Sequence, residues 1–470
     1  MAASSDGGPT SSTEEGRELI DLSERLESAM PTLMSFAGRC AMPDALRATA
    51  WKLFLRVVPP HKPDSWSKYV AAQRKEYEVM REAAMNQLDE ALQQALPEAD
   101  EEPPPECMLA ALEDAADQIR GDLERCYPEG AGNYFLEAKR QKLMFDVLLV
   151  WSNQHPRPSY RQGMHELLAP LVWAMDKSFE ATKAVALDER DPVSAVRVHP
   201  TYLEHDVYWM FDALADIMLP LYDVVPDGRQ GENKNEVVEM CRRVQADWLR
   251  KVDPELHAQL AGFRGNDLVL PQIYMLSWLR LAFARQFVLT DVVKLWDAFF
   301  ATCKVASDDS PIDYVLVAHD DDDNPRYPSM FDWLEAVATL LVVLEREKLL
   351  RATTGTACLR VLLRAVAPEP LFITRHARRL HADPATLQPL IASLRQHAHF
   401  AHILPLWVVS LLGSLGVLAT APRPSVPAAE PAFHSFSAAI FRSLLSMGYY
   451  AGATRPSSSV TADSPDATDR

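Results

Sequence analysis

Ile119-Arg120-Gly121-Asp122-Leu123-Glu124-Arg125 opens, and Tyr160-Arg161-Gln162-Gly163 closes, the stretch from which the rest of the 470-residue chain is read. In the first segment Ile119, Leu123 and Cys126 stand at i, i+4 and i+7, one apolar stripe of an amphipathic helix. Asp122 and Arg125 lie off that stripe. At i and i+3 their side chains can meet, so the carboxylate can hold the guanidinium in one direction. Pro128 and Gly130 end the helix and are expected to leave Arg125 in its last turn, free to project from the surface. The second segment follows the turn His155-Pro156-Arg157-Pro158-Ser159 and opens a helix with Met164, Leu167, Leu168, Leu171, Val172 and Met175 on its apolar face. Gln162 therefore sits near a helix start, beside a glycine whose missing side chain lets a foreign backbone or nucleotide approach.

Together these segments resemble the TBC-domain proteins, GTPase-activating proteins for Rab GTPases, whose motifs read I-x-x-D-x-x-R and Y-x-Q-G. Each motif alone is short. Here both occur in order, with Gln162 following Arg125 by 37 positions. The resemblance covers roughly residues 36 to 366. Gly38-Arg39, Leu46, Arg47 and Trp51-Lys52-Leu53-Phe54-Leu55 look like the family's opening segment, and Tyr127-Pro128-Glu129 continues the arginine motif. Trp278 to Phe283 with Arg285 and Phe287, then Leu295-Trp296-Asp297-Ala298-Phe299, look like its later motif. Gln162 to Pro170, followed by Tyr202-Leu203-Glu204-His205-Asp206, leans toward one branch of the family, with an endosomal, retromer and autophagy setting. Cys126 after the arginine, and Ser277 before the tryptophan, depart from the usual pattern.

The resemblance implies an all-α TBC fold and roles for individual residues. Arg125 would enter a Rab active site as an arginine finger, and Gln162 would take the place of the GTPase's own glutamine. Ile119, Asp122, Tyr160 and Gly163 would orient the finger and shape the space around the glutamine. Phosphoryl transfer needs both gifts: negative charge spreads over the γ-phosphoryl oxygens, and a water must be held in line for attack. An arginine finger supplies about 10³ to 10⁵ in rate, roughly 4 to 7 kcal/mol of barrier. GTP and Mg²⁺ would belong to the GTP-form Rab partner, so no cofactor is expected here, nor hydrolysis of GTP by this chain alone. Without the resemblance, Asp122 and Arg125 would be an exposed ion pair worth under about 1 kcal/mol. The alternative function is a non-catalytic TBC scaffold for a GTPase or trafficking coat.

Composition sets the outer limits. Length alone would allow about three domains. Hydrophobic residues make up 48%, with only 17 glycines, which suits a large helical core. The net charge of -18 argues against a nucleic-acid partner, which needs a basic footprint. Cys40, Cys107, Cys126, Cys241, Cys303 and Cys358 form no C-x-x-C pair, so neither a zinc site nor a disulfide framework is indicated. His165-Glu166 begins like H-E-x-x-H, but Ala169 stands where the second histidine is required. Asp320 to Asp323 lack the alternating ligands, central glycine and closing glutamate of an EF-hand loop.

The domain reading follows in order. Residues 1–29 are read as a mostly disordered leader, and Met1 to Gly16 carry no basic segment or apolar run to mark secretion, so a cytoplasmic protein is expected; the family resemblance implies recruitment to endosomal membranes. A Rab-GAP TBC domain spans 30–370. Within it Asp44 is expected to cap one helix, a long helix runs from about Asp64 to Leu96, and Pro97 to Glu106 is a connecting loop. Helices are expected over Thr201–Leu219, Asn235–Leu249, Tyr274–Phe287, Asp291–Phe300, Phe331–Leu349 and Cys358–Val366, and Pro170 is expected to kink or end the glutamine helix. Residues 371–422 form a helical extension containing Leu404–Ala421, 18 residues without a charge. That run is a poor membrane span, diluted by Pro405, Gly413 and Gly416, and a buried helix packed on the TBC domain is the preferred reading, any membrane association of the protein being peripheral. The Pro/Ala/Ser-rich tail, 423–470, contains Phe441-Arg442-Ser443-Leu444, an aromatic-x-x-aliphatic match to autophagy-adaptor ligands that an arbitrary helix would also give.

Overall fold

A computed structural model describes residues 26–59, 63–94, 108–126, 128–183, 196–222, 225–226, 233–301, 318–319, 325–326 and 329–401. Contacts divide the chain into two units, 1–399 and 400–470, and the description that follows concerns the first. The expected leader to residue 25, the Pro97–Glu106 loop, Asp320–Asp323, Leu404–Ala421 and the tail lie outside the described residues.

The architecture is all-α, as the sequence predicts. In chain order the helices are α1 (Leu26–Gly38), α2 (Asp44–Phe54), α3 (Trp66–Gln94), α4 (Met108–Leu123), α5 (Ala138–Gln154), α6 (Met164–Thr182) and α7 (Leu203–Met218). There follow α8 (Glu236–Arg242), α9 (Leu249–Val252), α10 (Pro254–Gly262), α11 (Pro271–Arg280), α12 (Leu289–Ala301), α13 (Ser329–Leu344), α14 (Arg346–Arg351), α15 (Gly355–Leu362), α16 (Pro370–Ala382) and α17 (Gln388–Ala401). Two antiparallel ladders, Val225–Pro226 with Asn233–Lys234 and Ala318–His319 with Pro325–Arg326, are too short to make a layer. Among the described residues no helix is long and apolar enough to cross a membrane.

One core joins α2, α6, α7 and α12, and charged residues sit inside it. Arg47 and Lys52 on α2 are almost wholly buried. Arg47 Nε donates to Asp297 Oδ1 on α12 at 3.0 Å, and Trp51 Nε1 donates to the same oxygen at 2.8 Å. Lys52 Nζ donates to Val196 O and to Asp206 Oδ2 on α7, both at 2.8 Å. The other side of Asp206 is taken by Arg74 of α3, through Nε and Nη2 at 2.9 Å. Burial of a charge is tolerated only when it is paired, and here each cation meets a carboxylate from a distant segment. Burial still pushes the Asp297 carboxyl up to about 6, against the pull of Arg47.

Several local expectations are corrected. Asp44 makes no side-chain cap: Pro43 is the N-cap, and Asp44 lies in the first turn with its carboxylate on Arg47. Of the two outcomes expected at Pro170, a kink or an end, the end does not occur, since α6 runs on to Thr182. The helix read as Tyr274–Phe287 stops at Arg280, because Ala282 and Phe283 adopt positive φ and the Phe283 N–H donates back to Trp278 O at 2.7 Å. The stretch read as Asn235–Leu249 is helical but widens into a π-helical turn over Arg243–Trp248. That turn aligns residues five apart, so Arg243 Nε and Trp248 Nε1 each donate to Glu335, both at 2.8 Å. Helical packing also continues past residue 370: α16 lies on α12 and α13.

Candidate functional site

The site is assembled where the end of α4 meets the start of α6. Ile119, Leu123 and Cys126 are all buried, as the stripe requires. The α-helix itself stops at Leu123, so Arg125 lies just beyond it instead of in its last turn. The chain tightens there, with Arg125 N donating to Asp122 O and Cys126 N to Leu123 O, each at 3.1 Å. Arg125 remains 69% exposed at its side chain, while that of Asp122 is 4% exposed.

The burial of Asp122 is what sequence reading missed. Its position off the apolar stripe suggested a surface carboxylate, but a phenol from the other motif covers it. Asp122 Oδ1 accepts from Arg125 Nη2 at 2.9 Å, and its Oδ2 accepts from the Tyr160 hydroxyl at 2.9 Å. One carboxylate thus fixes both segments. Tyr160 is buried, and burial first, then the Asp122 charge, drive its hydroxyl pKa far above the ordinary value, so the proton stays on the phenol.

Two residues on, Gln162 is exposed, and Gly163 is the N-cap of α6 with φ +101°. A Cβ on Gly163 would stand 3.0 Å from Leu281 Cδ2, beyond the end of α11. The positive φ favours glycine here, and an added Cβ would also press on the Leu281 methyl, a second reason besides clearing space for a partner. Gly163→Ala is expected to lower stability by about 1 to 3 kcal/mol. Urea unfolding of the two proteins measures it, and coincident curves would refute the reading.

Around this pair stand His165, Glu166 and Arg285, which the sequence offered in two separate motifs and the fold brings together. The His165 ring is buried, with Nδ1 2.9 Å from the Tyr160 hydroxyl oxygen. Burial holds its pKa below the ordinary value and keeps it neutral. Glu166 is gripped by Arg285 through two nitrogens. Cys126 offers no thiolate, because burial pushes its thiol up to about 12. What the arrangement can present outward is a fixed guanidinium and, beside the Tyr160 anchor, a carboxamide.

A sequence profile described as the Rab-GTPase-TBC domain matches residues 44–307. TBC1 domain family member 5 of Mus musculus is 30% identical over 296 residues, covering 58% of this chain and 35% of that protein. The Homo sapiens protein of the same name is 29% identical over 296 residues, covering 58% and 36%. The chain therefore spans about a third of the length of these curated relatives. The crystal structure of the Ypt/Rab-GAP domain of Gyp1p aligns with a TM-score of 0.50 at 14% identity, over 75% of this chain and 92% of that one, a likeness of fold.

Proposed function

The chain belongs to the Rab-GTPase-TBC domain family, and from that premise we propose that it activates GTP hydrolysis on a Rab-family GTPase with Arg125 and Gln162 supplied in trans. One observation carries the reading: the Asp122 carboxylate, bonded to Arg125 at one oxygen and to Tyr160 at the other, holds an exposed guanidinium and ties its segment to the one that bears Gln162. Arg125 would neutralise charge on the γ-phosphoryl oxygens, and the Gln162 carboxamide would hold the attacking water. Asp122 would keep the guanidinium from wandering, which lowers the entropy lost when the finger engages. Nucleotide and Mg²⁺ are contributed by the Rab, so this chain binds neither in the proposed mechanism.

The finer part of the proposal rests on likeness to member 5. In this finer part the protein is proposed to be recruited peripherally to endosomal membranes, with retromer or autophagy adaptors among its partners. Phosphate release from a panel of GTP-loaded Rabs, with and without the protein, tests the activity. Acceleration of at least one Rab is expected. No acceleration of any would replace the activator with a non-catalytic scaffold.

A further inference from the structure

The Tyr160 hydroxyl oxygen lies 2.9 Å from Asp122 Oδ2 and 2.9 Å from His165 Nδ1, but it owns a single proton. The Asp122 carboxylate can only accept. If Tyr160 gave its proton to His165, two bare acceptor oxygens would face each other at 2.9 Å. The phenol must therefore donate to Asp122, and the ring nitrogen must donate to the phenol. That assigns a proton to Nδ1 of His165; with burial disfavouring the charged ring, the form is the neutral Nδ1–H tautomer, whose Nε2 lies 3.6 Å from Glu166 Oε1. Glu166 is in turn committed to Arg285. The charged and titratable groups around the ring are thus Asp122, Tyr160, Glu166, Arg285 and, farther out, Arg125.

We infer that His165 is a positioning residue: its Nδ1–H fills the lone pair of Tyr160, fixes the phenol proton on Asp122, and so sets the direction of the Arg125 guanidinium. The inference rests on the proposed activity and deepens it: His165 is buried and acts through Tyr160 and Asp122. Hydrogen bonds in such a chain strengthen one another, and the last member, Arg125, is the one held in solvent. A guanidinium allowed to wander by a fraction of an ångström loses rate without losing affinity, because misplacement by about 1 Å costs on the order of 10²-fold.

Asparagine and leucine at this position separate positioning from packing. An asparagine amide nitrogen occupies nearly the place of Nδ1 and can donate to Tyr160, whereas leucine fills the space and donates nothing. With the full chain and a responsive Rab, His165→Leu is expected to lower kcat about 10-fold with KM within about 2-fold. His165→Asn is expected to stay within about 3-fold of the parent in kcat, a loss under about 1 kcal/mol. Nitrogen-15 NMR of the parent protein should show the Nδ1–H tautomer, a measurement independent of activity and of how well any variant folds. Full kcat in His165→Leu, equal losses in both variants, or an Nε2–H tautomer would overturn the inference. Arg125→Ala run alongside keeps the two claims apart: full acceleration in that variant would remove the parent reading, whatever His165 does.

Discussion

Arg125→Lys is expected to lower acceleration of GTP hydrolysis by about 10³-fold or more, close to what a missing arginine finger costs. The charge is kept, so a point-charge role would leave activity near normal. What is lost is the planar fork, which can bond Asp122 with one nitrogen while presenting others to phosphoryl oxygens. Because Arg125 is 69% exposed at its side chain, its replacement should leave the unfolding midpoint unchanged. Single-turnover phosphate release with a responsive GTP-loaded Rab measures the loss. Full activity in the lysine variant would exclude Arg125 from the proposed role.

The largest effect on stability is expected at Asp206, on α7. Its carboxylate is 4% exposed and serves two cations, Lys52 with a 2% exposed side chain and Arg74 with 17%. Asp206→Asn keeps the shape but leaves the Lys52 ammonium buried with a carbonyl for company, and breaking a buried pair in this way costs about 3 to 5 kcal/mol. The pH dependence has a definite sign. Burial alone would raise the Asp206 pKa, but Lys52 and Arg74 override it and bring the pKa below the ordinary value. A carboxyl depressed in the folded state stabilises above its unfolded pKa of about 3.9, and that contribution disappears as pH falls through the folded value. The gap between parent and variant should therefore be full near neutral pH and close progressively below about pH 4. Urea titrations at several pH values would show it; a variant as stable as the parent at pH 7 would refute the pairing.

Much of the site was legible because its logic is local. Ile119, Leu123 and Cys126 repeat with the helical period, and Asp122 meets Arg125 because three residues separate them. Gly163 was legible as a glycine with a reason, though the reason lay partly in Leu281, more than a hundred positions away. The role of Asp122 as a buried link was not legible. Nothing in its own segment says that Tyr160 will cover it, and a polar residue off an apolar stripe is ordinarily solvated. His165 was read as a packing or hydrogen-bonding residue, but its tautomer follows only from three groups meeting around one proton. The helix ends were misplaced where hydrogen bonds decided them, at Leu123, at Arg280 with its positive-φ successors, and in the π turn drawn to Glu335.

Family resemblance singled out Arg125 and Gln162, both exposed, and the sequence by itself determined that this protein is helical and where most of its helices lie. Those properties depend on periodicity and on contacts three or four residues apart, and both are written along the chain. Only the tertiary structure decided which distant carboxylate each buried or half-buried cation meets: Asp297 for Arg47, Asp206 for Lys52, and Glu335 for Arg243. It also decided that Asp122 serves Arg125 and Tyr160 at once. A buried charge is satisfied by whatever the packing of distant helices brings within 3 Å, and that distance is set by the whole core acting together.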